Sequence, residues 1–450
     1  MTDRYGNAIT CTCADTAQGI DDFIHGFLSY TTKAVNILHA AEADPGCCLA
    51  QTYAGMIWMF LEAPEAPGRA EAFITRAEAL AGQVTDREAA LVRLTRLWAQ
   101  GDIPALLDQG ESLARRHPRD LALIKLLQYH HFNRGDAPAM LRTGLIALPE
   151  SAAEPYVHGM IAFGYEQCHL LDQAEASARR AMKIEPADPW AHHALAHVML
   201  TQGRVDEGIA FLEQVAPTWV DLNSFMHSHN WWHLALFYLS RGRHDDVRAA
   251  YDTHVWGLAK DYSQDQVGAA SLLARMELAG VDVGDRWGDL ADHVAARGAD
   301  TVQPFLTMQY LYALARAGRA EADALMQAVE ARAHGTAFDA EVWAHVALPA
   351  CRGLLAHARC DFETCVAQLG QALPRMAETG GSHAQRDLFE QIHLDALMQT
   401  GRLAQAQQVL ELRRSFDPDG VAVNGALAGV YRKVGLDALA AEAEARRKFG

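Results

Sequence analysis

No stretch of this 450-residue sequence reaches the roughly 20 consecutive apolar residues that a membrane-crossing helix needs. The opening Met1-Thr-Asp-Arg-Tyr-Gly also lacks a basic-then-apolar leader, so the chain reads as cytoplasmic. Positive charge is scarce: 39 Lys and Arg stand against 56 Asp and Glu, a net −17. That balance excludes the basic face by which nucleic acid is recognised, and it disfavours an anionic membrane surface. There is no C-x-x-C pair among the eight cysteines (Cys11, Cys13, Cys47, Cys48, Cys168, Cys351, Cys360, Cys365), which fits reduced thiols rather than a disulfide framework. Runs of alternating β-branched residues bounded by hairpin turns are missing too, which argues against a β-fold. Disorder is excluded by a composition that is 50% hydrophobic.

What remains is helix. Apolar residues recur at helical spacing almost everywhere, and short turns resembling one another separate the helices: Gln100-Gly101-Asp102, Arg134-Gly135-Asp136, Cys168-His169-Leu170, Gln202-Gly203-Arg204, Arg241-Gly242-Arg243, Ala317-Gly318-Arg319, Cys360-Asp361, Thr400-Gly401-Arg402 and Val434-Gly435-Leu436. From 101 to 135, 135 to 169, 169 to 203 and 401 to 435 the step is 34 each time, the tetratricopeptide period. Five residues after the turn the side chain is often small (Ala174, Gly208, Cys365, Ala406, Ala440), as close helix pairs demand, although Asp323 breaks the rule. Cys365 therefore reads as a packing residue rather than a nucleophile. Prolines at His117-Pro118 and Glu185-Pro186 stop second helices, and Thr85-Asp-Arg-Glu88 has capping-box spacing. The expected fold is all-α: a solenoid of tetratricopeptide-like antiparallel helix pairs, strongly curved or closed.

The step lengthens to 39 between Gly203 and Gly242, and no matching turn stands out before Gly318. With no low-complexity linker, we expect one domain: atypical helices over 1–84, regular repeats over 85–257, irregular helices over 258–320 and further repeats over 321–450.

Twenty-one histidines are many for this length. The densest groups are Trp190-Ala-His192-His193-Ala-Leu-Ala-His197 and His227-Ser-His229-Asn-Trp231-Trp232-His233, each with an H-x-x-x-H step that stacks two imidazoles on one helix face. Counting back from the turns, His193, His197 and His229 fall on the stripe that faces the groove of such arrays, with His233 beside it. Neutral imidazole is the commonest protein ligand for zinc and iron, so His193, His197, His229 and His233 form a candidate site for a divalent transition metal. The competing reading is a wet, pH-sensitive polar core. Neither group contains H-E-x-x-H, which excludes that zinc-peptidase helix.

The preceding repeat places Tyr156, Gly159 and Phe163 on the groove side. Gly159 would leave room for the imidazoles, and Glu166, at the lower edge, is a candidate general base or histidine-orienting group. Trp232 is placed to wall the pocket. Gly380-Gly381-Ser382-His383-Ala384-Gln385-Arg386-Asp387 combines a Gly-Gly entry with a capping box, so His383 and Arg386 either help to hold an anion at a helix start or belong to a structural cap.

The strings Trp190 to Val198, His229 to Phe237, Tyr251-Asp252 and Gly380 to Asp387 resemble the tetratricopeptide repeat protein 38 family and its bacterial members, over most of the chain. The resemblance implies a helical-repeat fold and no settled activity. Where that family has an aspartate and a tryptophan around Ser271-Leu272-Leu273, this chain has Gly268 and Ala274, and an expected Asp-x-His is Thr307-Met308-Gln309. Two functions follow. One is a pocket that binds a small polar or anionic molecule and, with a metal ion, transforms it; the other is a non-catalytic scaffold whose groove receives a peptide or protein. The oligomeric state is open.

Overall fold

The computed structural model describes residues 1–447, and every regular element among them is helical; two isolated bridges, Thr2 with Ala8 and Thr31 with Leu222, are the exceptions. The helices form tetratricopeptide-like antiparallel pairs. Each of the nine turns named above sits between two helices, and its central residue has positive φ, from 57° at His169 to 78° at Gly435. The hydrogen bonds explain the conformation. At the first turn the Gly101 N–H reaches the Trp98 carbonyl and the Asp102 N–H the Leu97 carbonyl, both at 2.9 Å, which satisfies carbonyls that the helix end leaves open. Asp102 then caps the next helix by accepting the Ala105 N–H. Two adjacent residues thus end one helix and begin another.

The interval from Gly242 to Gly318 hides one more turn of this type. Gly280, at φ 81°, joins the helices Ser263–Leu278 and Arg286–Val294. From 242 to 280 and from 280 to 318 the step is 38, so the pairing continues with longer repeats.

Turn glycines differ in what surrounds them, and this yields a contrast. At Gly101 an added Cβ meets nothing within 4 Å, whereas at Gly203 it would lie 1.7 Å from the Phe416 carbonyl oxygen. Gly101→Ala should cost about 1–2 kcal/mol for the left-handed backbone alone. Gly203→Ala should cost visibly more, because backbone must also move. Urea unfolding of the two variants side by side checks the order.

By internal packing the chain divides into two compact units, residues 1–195 with 218–226, and residues 196–217 with 227–450. The first unit buries an ion pair: Arg87 meets Asp120 at 2.6 Å with both side chains almost fully enclosed. Asp120 also caps the helix Leu121–Asn133 through the Leu123 N–H, and Arg87 donates to the Ala8 carbonyl. The expected capping box forms, and its Glu88 additionally accepts from Thr10, tying down the N-terminal segment. In the second unit, Arg413 clasps Asp387 with two bonds, 2.6 and 3.0 Å. Burial alone would push the Asp387 carboxyl up, but the guanidinium overrides it and holds the group down at about 2.

Candidate functional site

The helix Pro189–Thr201 carries His193 and His197 one turn apart, and the helix Ser224–Ser240 carries His229 and His233. The i, i+4 spacing aligns each pair on one face. In the second unit the His197 and His233 rings lie 4.4 Å apart, centre to centre, and His229 meets His233 edge to face at 4.9 Å. One ring nitrogen from each of these three lies within 4.8 Å of the others, and His193 stands one turn ahead of His197 on the same helix. Three ligand atoms of one chemical kind are thus gathered within the second unit.

All four side chains are enclosed, from 0% exposed for His233 to 8% for His229. The sequence count placed them along an open groove face; the packing instead encloses them. The His193 ring stacks on Trp190 at 4.4 Å and meets Phe163 at 5.0 Å. His229 stacks on Trp232, 5.3 Å apart and within 7° of parallel. Burial pushes the His229 imidazole down to about 3, with a smaller contribution from His197, so the ring is a neutral, metal-competent ligand at physiological pH.

The other sequence candidates are distributed more widely. Phe163 touches His193, as described. Glu166 is fully buried and accepts a 2.5 Å bond from the Gln167 amide, and it is not one of the four donors. Gly159 has a packing role: a Cβ there would sit 3.0 Å from Asp188 Oδ2, close to Trp190. Trp232 is buried with its indole N–H unbonded. Ser382 and Gln385 form the expected capping box, while Arg386 donates to the Gly381 carbonyl and contacts His383 Nδ1 at 3.2 Å. The Arg386 guanidinium therefore serves the loop's carbonyl groups. His192, adjacent to the cluster in sequence, is held elsewhere, between the Pro186 carbonyl and Trp219 Nε1.

Sequence reasoning missed Arg275. Its guanidinium lies over the Trp232 ring at 5.3 Å and bonds Ser271 Oγ and the Ala384 carbonyl, linking the wall of the imidazole cluster to the helix that begins at His383. Burial draws its pKa down to about 10, since its hydrogen bonds go to neutral oxygens while Asp387 is already held by Arg413. A lone arginine inside the helix Ser263–Leu278 has no spacing signal, so only the packing reveals it. The departures noted in sequence are also placed: Thr307 bonds the backbone at Asp300 and Gln303, and Gln309 is buried with neither amide atom bonded.

Buried neutral histidines make stability pH-dependent. His229 and His130 are pushed down to about 3 and His192 to about 4, in each case first by burial. The unfolded chain takes up these protons near pH 6.5 while the folded chain refuses them, so stability falls as pH drops from about 6.5 toward 4. Each such histidine should contribute about 1.4 kcal/mol per pH unit. Denaturant unfolding at pH 7 and pH 5 should show the loss, smaller in His130→Gln.

A family model described as tetratricopeptide repeat matches residues 170–218, the segment that contains the helix bearing His193 and His197. Among solved structures, the human IFIT1 dimer with PPP-AAAA aligns over 97% of this chain and 95% of its own, at 11% identity and a TM-score of 0.42. The APC/C hetero-tetramer Cut9-Hcn1 aligns over 96% and 93%, at 11% identity and 0.31. The tetratricopeptide match covers that segment, and the helix pairs on either side of it are of the same type. No helix among the described residues is long and apolar enough to cross a membrane.

Proposed function

We propose that His193, His197, His229 and His233 bind a divalent transition metal, zinc or iron, and that the site around them takes a small polar or anionic molecule. The gathering of the His197, His229 and His233 ring nitrogens within 4.8 Å, without a carboxylate among them, carries the reading, and His193 precedes His197 by one turn of the same helix. Zinc accepts imidazole in tetrahedral sets, and three imidazoles with an open position suit a catalytic ion, whereas four close it. An ion held by three of these imidazoles would supply Lewis-acid or water-activating chemistry at its open position. Two groups support an anionic ligand: the buried, unbonded Trp232 N–H and, above the same ring, the Arg275 cation, whose hydrogen bonds go to neutral oxygens. Glu166 and His383 remain proposed general acid–base groups, and Phe163, Gly159 and Arg386 proposed pocket residues.

The test is thermal unfolding of the chelator-stripped, untagged chain with added Zn2+ or Fe2+. At about 100 times Kd, the ion should stabilise by about 2.7 kcal/mol. His197→Ala should reduce that shift, and should abolish it where Cys11 and Cys47 are also replaced by Ser. Equal melting with and without either ion would leave the imidazoles a polar core, and the chain would then be a peptide- or protein-binding scaffold.

A further inference from the structure

A second set of metal-type donors lies within the first unit. Cys11 comes from the segment ahead of the helix Ala14–Ser29, while Asp44 and Cys47 come from the short link between the helices Asn36–Ala43 and Cys48–Met59. One ligand atom from each of the three lies within 4.8 Å of the others. The surroundings orient all three. Cys47 is the N-cap residue of its helix, where the helix dipole favours a negative charge. Cys11 Sγ contacts the Cys13 carbonyl at 3.2 Å. The Asp44 carboxylate is held from behind, by the Thr16 hydroxyl at 3.1 Å on one oxygen and the Gly46 N–H at 3.2 Å on the other.

Buried cysteines by themselves are small apolar residues. The carboxylate changes the chemistry, because it opposes ionisation of the sulfurs unless a cation stands among them. Asp44 is also only half-buried, beside exposed Pro45 and Gly46, which leaves an ion a way in. We propose that Cys11, Asp44 and Cys47 form a binding site for a borderline-soft divalent cation of the zinc class, with the fourth tetrahedral position left to water or an external ligand. Two sulfurs and one oxygen are a zinc-type donor set, and the hydrogen bonds to Asp44 are the outer support that such ligands need. Without the ion, burial pushes the Cys47 thiol up to about 12. Uptake of the ion therefore sends the thiol protons to solvent as two S–metal bonds form.

The test uses Co2+ as a coloured stand-in, added to the full chain after chelation and phosphine reduction. Near-ultraviolet thiolate-to-cobalt charge transfer should grow to saturation, at one equivalent in the His197→Ala chain, and disappear when Zn2+ is added. Imidazoles do not give that band, so His197→Ala should keep it. Cys47→Ser and Cys11→Ser should abolish it, as should Cys47→Ala, which does not leave a new hydroxyl in an apolar site; Asp44→Ala should weaken cobalt binding at least tenfold. Absence of the band in the reduced wild-type chain would overturn the proposal, and so would its survival in a folded Cys47 variant. A mass lower by two hydrogens, mapped to Cys11 and Cys47 after zinc-saturated protein meets air, would also overturn it, identifying a disulfide pair instead.

Discussion

Asp120→Ala should destabilise the first unit by roughly 3–5 kcal/mol, the range for breaking a buried ion pair by removing one partner. The mechanism is an asymmetry. Arg87 is 3% exposed and would keep its charge with no direct carboxylate contact, left to the Ala8 carbonyl and the neighbouring Asp3 and Tyr53. The same carboxylate caps the helix Leu121–Asn133, which adds about 1 kcal/mol. Asp120→Asn separates the two contributions, since an amide still caps but does not neutralise Arg87. Urea unfolding followed by far-ultraviolet dichroism should rank wild type, Asn and Ala in that order. A loss under about 1 kcal/mol for Ala would mean that water reaches the pair.

The second large effect concerns the imidazoles. His233→Leu keeps most of the buried volume and removes one ligand nitrogen. It should weaken metal binding by more than the roughly 10–100-fold that loss of an outer-shell partner costs. His192→Leu, one residue from His193, is the matched control: its ring is committed to Pro186 and Trp219, so metal affinity should not change. Metal titration by calorimetry checks both. Equal affinities in the two variants would disconnect His233 from the ion.

Much of this arrangement is readable in sequence, for a physical reason. A helix pair must reverse direction, the reversal needs a left-handed residue, and glycine supplies it at little cost, so Gly101, Gly135 and Gly203 announce their turns. His169 and Cys360 adopt the same conformation without being glycine, and only the period locates them. Gly280 escapes notice because the step changes to 38 and Gly284 competes nearby. The imidazole pairs are legible because i, i+4 spacing fixes a shared face. Their enclosure is not, since the aromatic partners Trp190, Phe163 and Trp232 decide it. Arg275 and the Cys11, Asp44, Cys47 set are invisible in sequence, because their partners lie on other elements.

Enclosure also alters how alanine variants must be read. A histidine lining an open groove can be deleted at little cost, but His233 at 0% exposure leaves a cavity. Size-matched Leu variants, with dichroism as a control, keep loss of metal separate from loss of fold.

Elemental analysis of the untagged Cys11→Ser/Cys47→Ser chain tests the central claim most directly, because that variant leaves the imidazole cluster as the proposed metal site. Purified from zinc- and iron-supplemented culture and passed through desalting, it should retain one equivalent of zinc or iron, and His197→Ala added to it should bring the content to background. A folded double variant with no metal, which takes none up when zinc or iron is returned, would contradict the account.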